Sequence, residues 1–426
     1  MGKTALVLGG GGARGAYQVG AWQALCELDV PVDIVTGTSV GALNAAVIAS
    51  GGFSDVADLW RTLRTDMVFD IKMDTSKTPK QQQAEMVRRV LRDYPQKGAM
   101  GASPLCALIR KYCSEEAVRN SQIRCGIVCH DVFAVKSVEL FCDEMEEGKL
   151  IDYLLASSAV FPAVKMHEID GRWMIDGGYS DNLPVGLAKR GGADRFILVE
   201  LGNTFELKPT VKQAKQVIRI HPYRDLGSML VFDPDTTARN IRLGYLDTMK
   251  VCGVYEGIAF TFLKGTFARQ WRRRTAQIQK VEHAAGLSFS PHPSKREEAF
   301  WVRIQTFLTK KYRREASVRH VDFLRACAEC AGEVFGLCDE KIYSFYRFNE
   351  RLADAQKKVE RPVFVRMDAA ALQNSMKLFD KKVRVCVIAD LLHRGAQEKQ
   401  TINLFAFSLL FPEETLAGYY LAAFLL

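Results

Sequence analysis

The chain of 426 residues lacks any apolar run long enough to span a bilayer. Ile402–Phe411 is stopped by Pro412-Glu413-Glu414, and Leu416–Leu426 is equally short. The start lacks the pattern of a secretory leader, because Met1-Gly2-Lys3 leads straight into an apolar stretch and then glycines. Position 6 is Leu, where N-myristoylation wants Ser or Thr. A cytoplasmic protein, at most peripheral at a membrane, is the expectation, with no signal peptide and no transmembrane helix.

Paired cysteines at metal spacing are also missing. The 11 cysteines are scattered and odd in number, which fits free thiols in a reducing compartment. Cys327 and Cys330 have no second pair or nearby His at zinc spacing, so no metal site is expected. There is no internal repeat. The excess of positive charge is missing from the first part of the chain. Before Gly265 the 31 basic residues match 31 acidic ones, and from Gly265 onward 27 basic residues face 18 acidic ones. The net charge of +9 therefore belongs to the C-terminal part. Such a balance suits an anionic lipid surface or a solvated helical face. No nucleic-acid recognition motif accompanies it, and no nucleic-acid partner is expected.

What is present begins at once. Thr4–Leu8 reads as a short buried strand, and Gly9-Gly10-Gly11-Gly12-Ala13-Arg14-Gly15 follows. Ala16–Leu28 has helical spacing, Val32–Val35 reads as a second strand and Val40–Ser50 as a second helix. This β-α-β-α start predicts an α/β domain with a parallel sheet covered on both faces. Between the second strand and second helix lies Gly37-Thr38-Ser39-Val40-Gly41, a G-x-S-x-G turn in the setting that motif requires. The turn strains its central residue and exposes the hydroxyl, and the helix N-terminus favours negative charge beside Ser39.

A serine hydroxyl is a weak nucleophile and needs a base. Asp176 ends a short predicted strand, Trp173–Ile175, and Gly177-Gly178 follows it, although Asp-Gly is also a common turn pair. Amides of Gly10, Gly11 and Gly12 are placed to line an oxyanion pocket, where each donor contributes about 3 kcal/mol. Arg14 adds positive charge there or holds the loop. Gly10-x-Gly12-x-x-Gly15 also fits a dinucleotide fingerprint, but the second strand ends in Gly37-Thr38-Ser39 rather than in an acid for a ribose. A phosphate-binding P-loop fails because no Lys-Ser/Thr pair follows the glycines.

Together, the glycine-rich loop at 10–15, G-x-S-x-G at 37–41 and D-G-G at 176–178 resemble the patatin-like phospholipase family, in that order along the chain. Ala156–Pro162 is similar to the small-residue segment that precedes the family's Asp strand, and Arg242–Asp247 resembles a segment near the domain's end in bacterial members. The resemblance spans roughly residues 3–260. It implies a three-layer α/β/α domain with a mainly parallel central sheet. It also implies a Ser39–Asp176 dyad without histidine, an oxyanion hole of Gly10, Gly11, Gly12 and Arg14, and support from Gly15, Gly37, Gly41, Gly177 and Gly178. The implied substrate is a lipid acyl ester, cleaved through an acyl-enzyme with no metal or organic cofactor. Such a dyad needs an unusual Asp, because a free carboxylate titrates near 3.9 and burial would raise it.

Two alternatives stand beside this. One is a conventional α/β-hydrolase triad, with His221 after Asp176 in chain order. The other is a lipid-binding or scaffolding protein that keeps the fold without turnover. The sequence divides into 1–264 as the hydrolase domain and 265–426 as a mostly helical, basic domain. In the second part Trp301–Tyr312 and Val321–Phe335 read as amphipathic helices, and Ser288–Ser294 as a helix breaker. Val363–Val365 and Val383–Ile388 read as strands. Trp271 with Arg272–Arg274, and Lys310–Arg314, are candidates for contact with anionic lipid. Phe405–Phe411 and Tyr419–Phe424 read as a packed helix pair or an interfacial patch.

Overall fold

The computed structural model describes residues 2–74, 76–202, 214–287, 293–312, 320–360 and 375–425. The expected strand Val363–Val365, most of the breaker Ser288–Ser294, and Arg313 with Arg314 lie outside the described residues. The chain forms two compact units, Met1–Val251 and Cys252–Leu426.

The first unit is built on one sheet. Its strands are β1 (Lys3–Leu8), β2 (Ile34–Thr38), β3 (Arg124–Asp131), β4 (Lys136–Phe141), β5 (His167–Ile169), β6 (Arg172–Asp176), β7 (Ala193–Val199) and β8 (Gln216–Ile220). The order is β5-β6-β3-β2-β1-β7-β8, with β4 on the free side of β3. β3, β2, β1, β7 and β8 are parallel, while β4 and β6 run antiparallel to β3. β1 lies between β2 and β7 and is apolar on both faces, as a covered parallel strand must be. Its side chains alternate between two cores. Leu6 and Leu8 pack into one, and Ala5 and Val7 into the other.

The larger core is closed by α1 (Ala16–Glu27), α2 (Val40–Ser50) and neighbouring helices, the smaller by Val185–Arg190. The helix Pro234–Val251 crosses α1 at backbone contact. A Cβ on Gly20 would lie 1.8 Å from the Ile241 carbonyl oxygen, and one on Gly244 1.9 Å from that of Tyr17. The buried Tyr17 hydroxyl donates to Asp247 at 2.7 Å. The segment Arg242–Asp247 is thus a helix-crossing seam. Strand β2 runs on to Thr38, beyond the expected Val32–Val35, because it pairs with β1 and β3 along its whole length. Within the polar stretch from Asp66 to Gly101, Pro79–Lys97 is a helix opened by a Thr78/Gln81 capping box.

The second unit is mostly helical. Residues 252–264, assigned from sequence to the first domain, fall in it, because Tyr255–Glu256 and Thr261–Leu263 form a small sheet with Ile342–Tyr343. Val383–Ile388 is not a strand. It lies inside the helix Lys381–Glu398, where Asp380 caps the Val383 amide at 3.0 Å. Val385, Cys386, Val387, Ile388, Ala389 and Leu392 are all buried in this helix, so tertiary burial outweighs the β-branched propensity. Pro412–Phe424 is buried on nearly all sides, as a central helix should be, which places Tyr419, Tyr420 and Phe424 in packing.

Candidate active site

One edge of β3 brings the two candidate catalytic residues together. β2 ends with Thr38 opposite Val128. β6 takes over that edge at the next residue, with Asp176 opposite Cys129. The chain leaves β2 at Ser39 and leaves β6 at Gly177, so both turns open at one place. Gly177 is required at this junction, since a Cβ there would lie 2.2 Å from the Val128 carbonyl oxygen.

Ser39 caps the N-terminus of α2 with φ 57° and ψ −129°, a conformation that costs an L-residue energy and recurs at functional sites. The tightness of the turn fixes its flanks. A Cβ on Gly37 would sit 2.1 Å from the Gly41 carbonyl oxygen, and one on Gly41 2.3 Å from that of Leu8. The Ser39 amide donates to the Ser157 hydroxyl at 2.9 Å, which in turn donates to the Val128 carbonyl at 2.6 Å. Both side chains of the pair are buried. Burial pushes the Asp176 carboxyl up to about 6, against the opposing pull of hydrogen bonds from the Ser39 hydroxyl and the Gly178 amide. The Gly178 bond is 2.7 Å long.

The glycine loop packs beside them. The Gly10 amide is committed to the Asn182 carbonyl at 3.2 Å, and its bare Cα lets Ser39 and the Asn182 side chain approach. Gly12 has φ 57°, and a Cβ on it would lie 2.0 Å from the Met229 carbonyl oxygen. Gly11 and Gly12 line the cavities at Ser39. Arg14 lines neither cavity. Its Nε donates to the Gly227 carbonyl at 2.8 Å, which ties the loop to residues 227–229. Gly15 leaves room for Val40, whose Cγ2 would be 2.4 Å from an added Cβ. Beneath the loop Gln18 donates to the Gly9 carbonyl at 2.7 Å, Asn44 donates to Gln18 at 2.8 Å, and Trp60 donates to Asn44 at 3.2 Å.

Ser39 lies where two cavities meet. One is an apolar chamber of about 910 Å³ including its open mouth, lined by residues such as Leu43, Trp60, Phe69, Leu108 and Phe232. The other is an open cleft, more polar than the chamber and lined by Gly11, Asp176, Gly178, Tyr179 and Asn182. Ser39, Val160 and Met229 border both. His221 borders neither, and its ring packs on Tyr223 at 4.5 Å between centroids. Sequence reasoning missed Ser157, Asn182, Met229 and the chamber. Ser157 and Asn182 had faint signals, the small-residue segment and the position six residues past Asp176. Met229 had none. Among the described residues no cluster of His, Cys, Asp and Glu is suited to a metal, and no helix is long and apolar enough to cross a membrane.

A strained serine at a strand–helix elbow, set against a buried carboxylate, defines a nucleophile-elbow α/β site. Residues 6–189 match the profile of the patatin-like phospholipase family. Patatin-like phospholipase domain-containing protein 7 of Rattus norvegicus is 30% identical over 206 residues, covering 47% of this chain and 14% of that protein. An uncharacterised NTE family protein of Mycobacterium bovis is 28% identical over 202 residues, covering 47% of this chain and 50% of that protein. The matches thus span half or less of these relatives. The crystal structure of VipD from Legionella pneumophila aligns over 99% of this chain and 90% of its own at 14% identity, with a TM-score of 0.35, too low to bear on the fold.

Proposed function

We propose that the chain is a serine acyl hydrolase acting on lipid esters, phospholipids or lysophospholipids, through a Ser39–Asp176 dyad. The observation that carries this is the shared β3 edge, which sets Asp176 against Ser39 at the meeting of an apolar chamber and an open cleft. The acyl chain occupies the chamber and the alcohol side lies toward the cleft. Ser39 Oγ attacks the ester carbonyl and its proton passes to the Asp176 carboxylate. The amides of Gly11 and Gly12 hold the oxyanion, since the Gly10 amide is already used. Collapse of the tetrahedral intermediate breaks the ester C–O bond, and the leaving alcohol takes the proton from Asp176. Water then attacks the acyl-Ser39 ester, gives its proton to Asp176, and releases the acid as Ser39 recovers that proton. This chemistry calls for no metal or organic cofactor.

The buried carboxylate supports Asp176 as the base, because a group titrating near 6 is a far better acceptor than a free Asp. The competing reading is a lipid-binding protein without turnover. Labelling by a fluorophosphonate probe, followed by comparison of acyl products from a mixed lipid extract for wild type and Ser39→Ala, separates the two. No labelling of folded protein, or identical products from both, would sink the hydrolase. Contact of the basic second unit with anionic membrane is a further part of this reading. Arg272 and Arg273 are exposed for it. Arg274 and Lys311 serve packing instead, Arg274 over Phe345 and Phe424, and Lys311 against Glu333 and Glu413.

A further inference from the structure

The large apolar side chains that the first unit leaves in solvent gather at the end of the sheet where Ser39 opens. β3 continues through Cys129–Asp131 past the end of β2, and the turn beyond it carries Phe133 and Val135, 78% and 74% exposed. Trp173 lies beside that turn, with its carbonyl accepting the Val132 amide at 3.0 Å. Tyr179, 55% exposed, lines the open cleft, and the exposed Met229 borders both cavities. On the helix Pro79–Lys97 the exposed residues Val87, Leu91 and Tyr94 follow one another at helical spacing on one face. Tyr94 meets the Phe161 ring at 5.6 Å, and the Phe161 carbonyl accepts the Tyr179 hydroxyl. The helix stripe is therefore continuous with the cleft.

Scattered exposed apolar residues need no explanation, but a set joined around one opening does. The charges beside it are mainly basic. Pro79–Lys97 carries five basic residues and two acidic ones, with Arg88 and Arg92 exposed beside Leu91, and Lys136 is exposed next to Val135. Of the acids on the projecting hairpins, Asp131 is paired with Arg172 and Asp170 with Lys149, each at 2.6 Å, while Glu168 opposite Trp173 is exposed.

We propose that this rim, formed by the stripe on Pro79–Lys97, the hairpin tip at Phe133 and Val135, and Tyr179 and Met229 at the mouth, docks on an anionic phospholipid bilayer. The proposal rests on the lipid-ester reading above. It specifies where the substrate enters, so that an acyl chain passes from the bilayer into the chamber without crossing water. The contact is distinct from the basic surface of the second unit.

The test uses the full chain carrying Ser39→Ala, so that the lipid is not consumed, in flotation with vesicles of phosphatidylcholine alone and of phosphatidylcholine with phosphatidylserine. The parent is expected to float with the phosphatidylserine vesicles. Phe133→Asp combined with Leu91→Asp should lower the bound fraction at least about tenfold, since interfacial binding scales with buried apolar area. Arg88→Glu with Lys136→Glu should remove the preference for phosphatidylserine. With Ser39 intact, the rim variants should lose turnover on vesicles and keep it on a water-soluble short-chain ester. A parent that does not float, or rim variants that float as the parent does, would overturn the proposal. So would binding lost only in Arg272→Glu with Arg273→Glu, or a dimer dissociated by Phe133→Asp while vesicle binding is unchanged. Soluble-ester turnover that survives Ser39→Ala would instead sink the hydrolase reading and leave the vesicle result standing.

Discussion

The two compact units both bury acidic side chains, and Asp176 of the first is surrounded differently from Glu413 and Glu414 of the second. In the second unit Glu413 meets Lys311 and Lys381, and Glu414 meets Arg384 at 2.7 Å. Burial alone would raise Glu413, and the two lysines outweigh it and hold it below the usual range. In the first unit Asp176 is buried more deeply than Glu413, but its neighbours are a hydroxyl and an amide, with no cation among the causes of its shift. A buried acid without a counter-charge costs stability and gains basicity. Glu282 in the second unit, pushed up to about 7 by burial, faces the Tyr419 hydroxyl rather than a nucleophile at an elbow. A raised carboxyl therefore becomes chemically informative only beside Ser39.

The sharpest way to break this comparison is to remove the nucleophile. Ser39→Ala should abolish turnover of a soluble ester by about 10⁴-fold or more while circular dichroism stays native, because Ala fills the same turn with no new contact. Retained turnover would place the chemistry elsewhere. Asp176→Asn should cost about 10³-fold or more and remove the acid limb of the pH profile. In wild type, kcat/KM should rise with pH and level off above an apparent pKa of about 6, because the ionised carboxylate is the base.

Stability should move the other way. The folded pKa lies above the free value of 3.8, so the favourable contribution is full below that pH and is lost as pH rises through about 6. Asp176→Asn should therefore melt higher than wild type above pH 6, by an amount on the order of 3 kcal/mol, and show little difference in acid. A gain that did not grow between those limits would show that Asp176 is not a buried uncompensated acid.

Lys311→Met tests the paired acids of the second unit. It removes the lysine that Glu333 and Glu413 share, leaving Lys381 on Glu413, and should destabilise that unit by roughly 2 kcal/mol while soluble-ester turnover per folded molecule is kept. Glycines give the smallest contrast. Gly41→Ala drives a Cβ against the Leu8 carbonyl and should cost roughly 3 kcal/mol or more in chemical denaturation. Gly186→Ala, in a helix with nothing within 4 Å of the added carbon, should stabilise by up to about 1 kcal/mol.

Much of the site was legible because its demands fall on the backbone. Gly37, Gly41 and Gly177 each touch another main chain, and only glycine satisfies that, so their spacing survives as a motif. Arg14 was legible as a conspicuous charge but not as a loop tie, because its partner Gly227 is remote in sequence. The chamber left no motif, since Trp60, Phe69, Leu108 and Phe232 obey only a demand for apolar volume, which many residues meet. Val383–Ile388 misled for a related reason: a run of β-branched residues states a local preference, and a capped helix buried in the second unit outweighs it.

By itself the sequence determined the order of the first elements, the elbow at Ser39 and the glycines around it, because local sterics and strand–helix periodicity act over a few residues. Only the tertiary structure decided that Asp176 lies beside Ser39, that the Gly10 amide is spent on Asn182, and that an apolar chamber opens at the nucleophile. Those depend on β6 succeeding β2 along one edge of β3, and on helices far apart in the chain closing over a common core, and such long-range pairings leave no spacing to read.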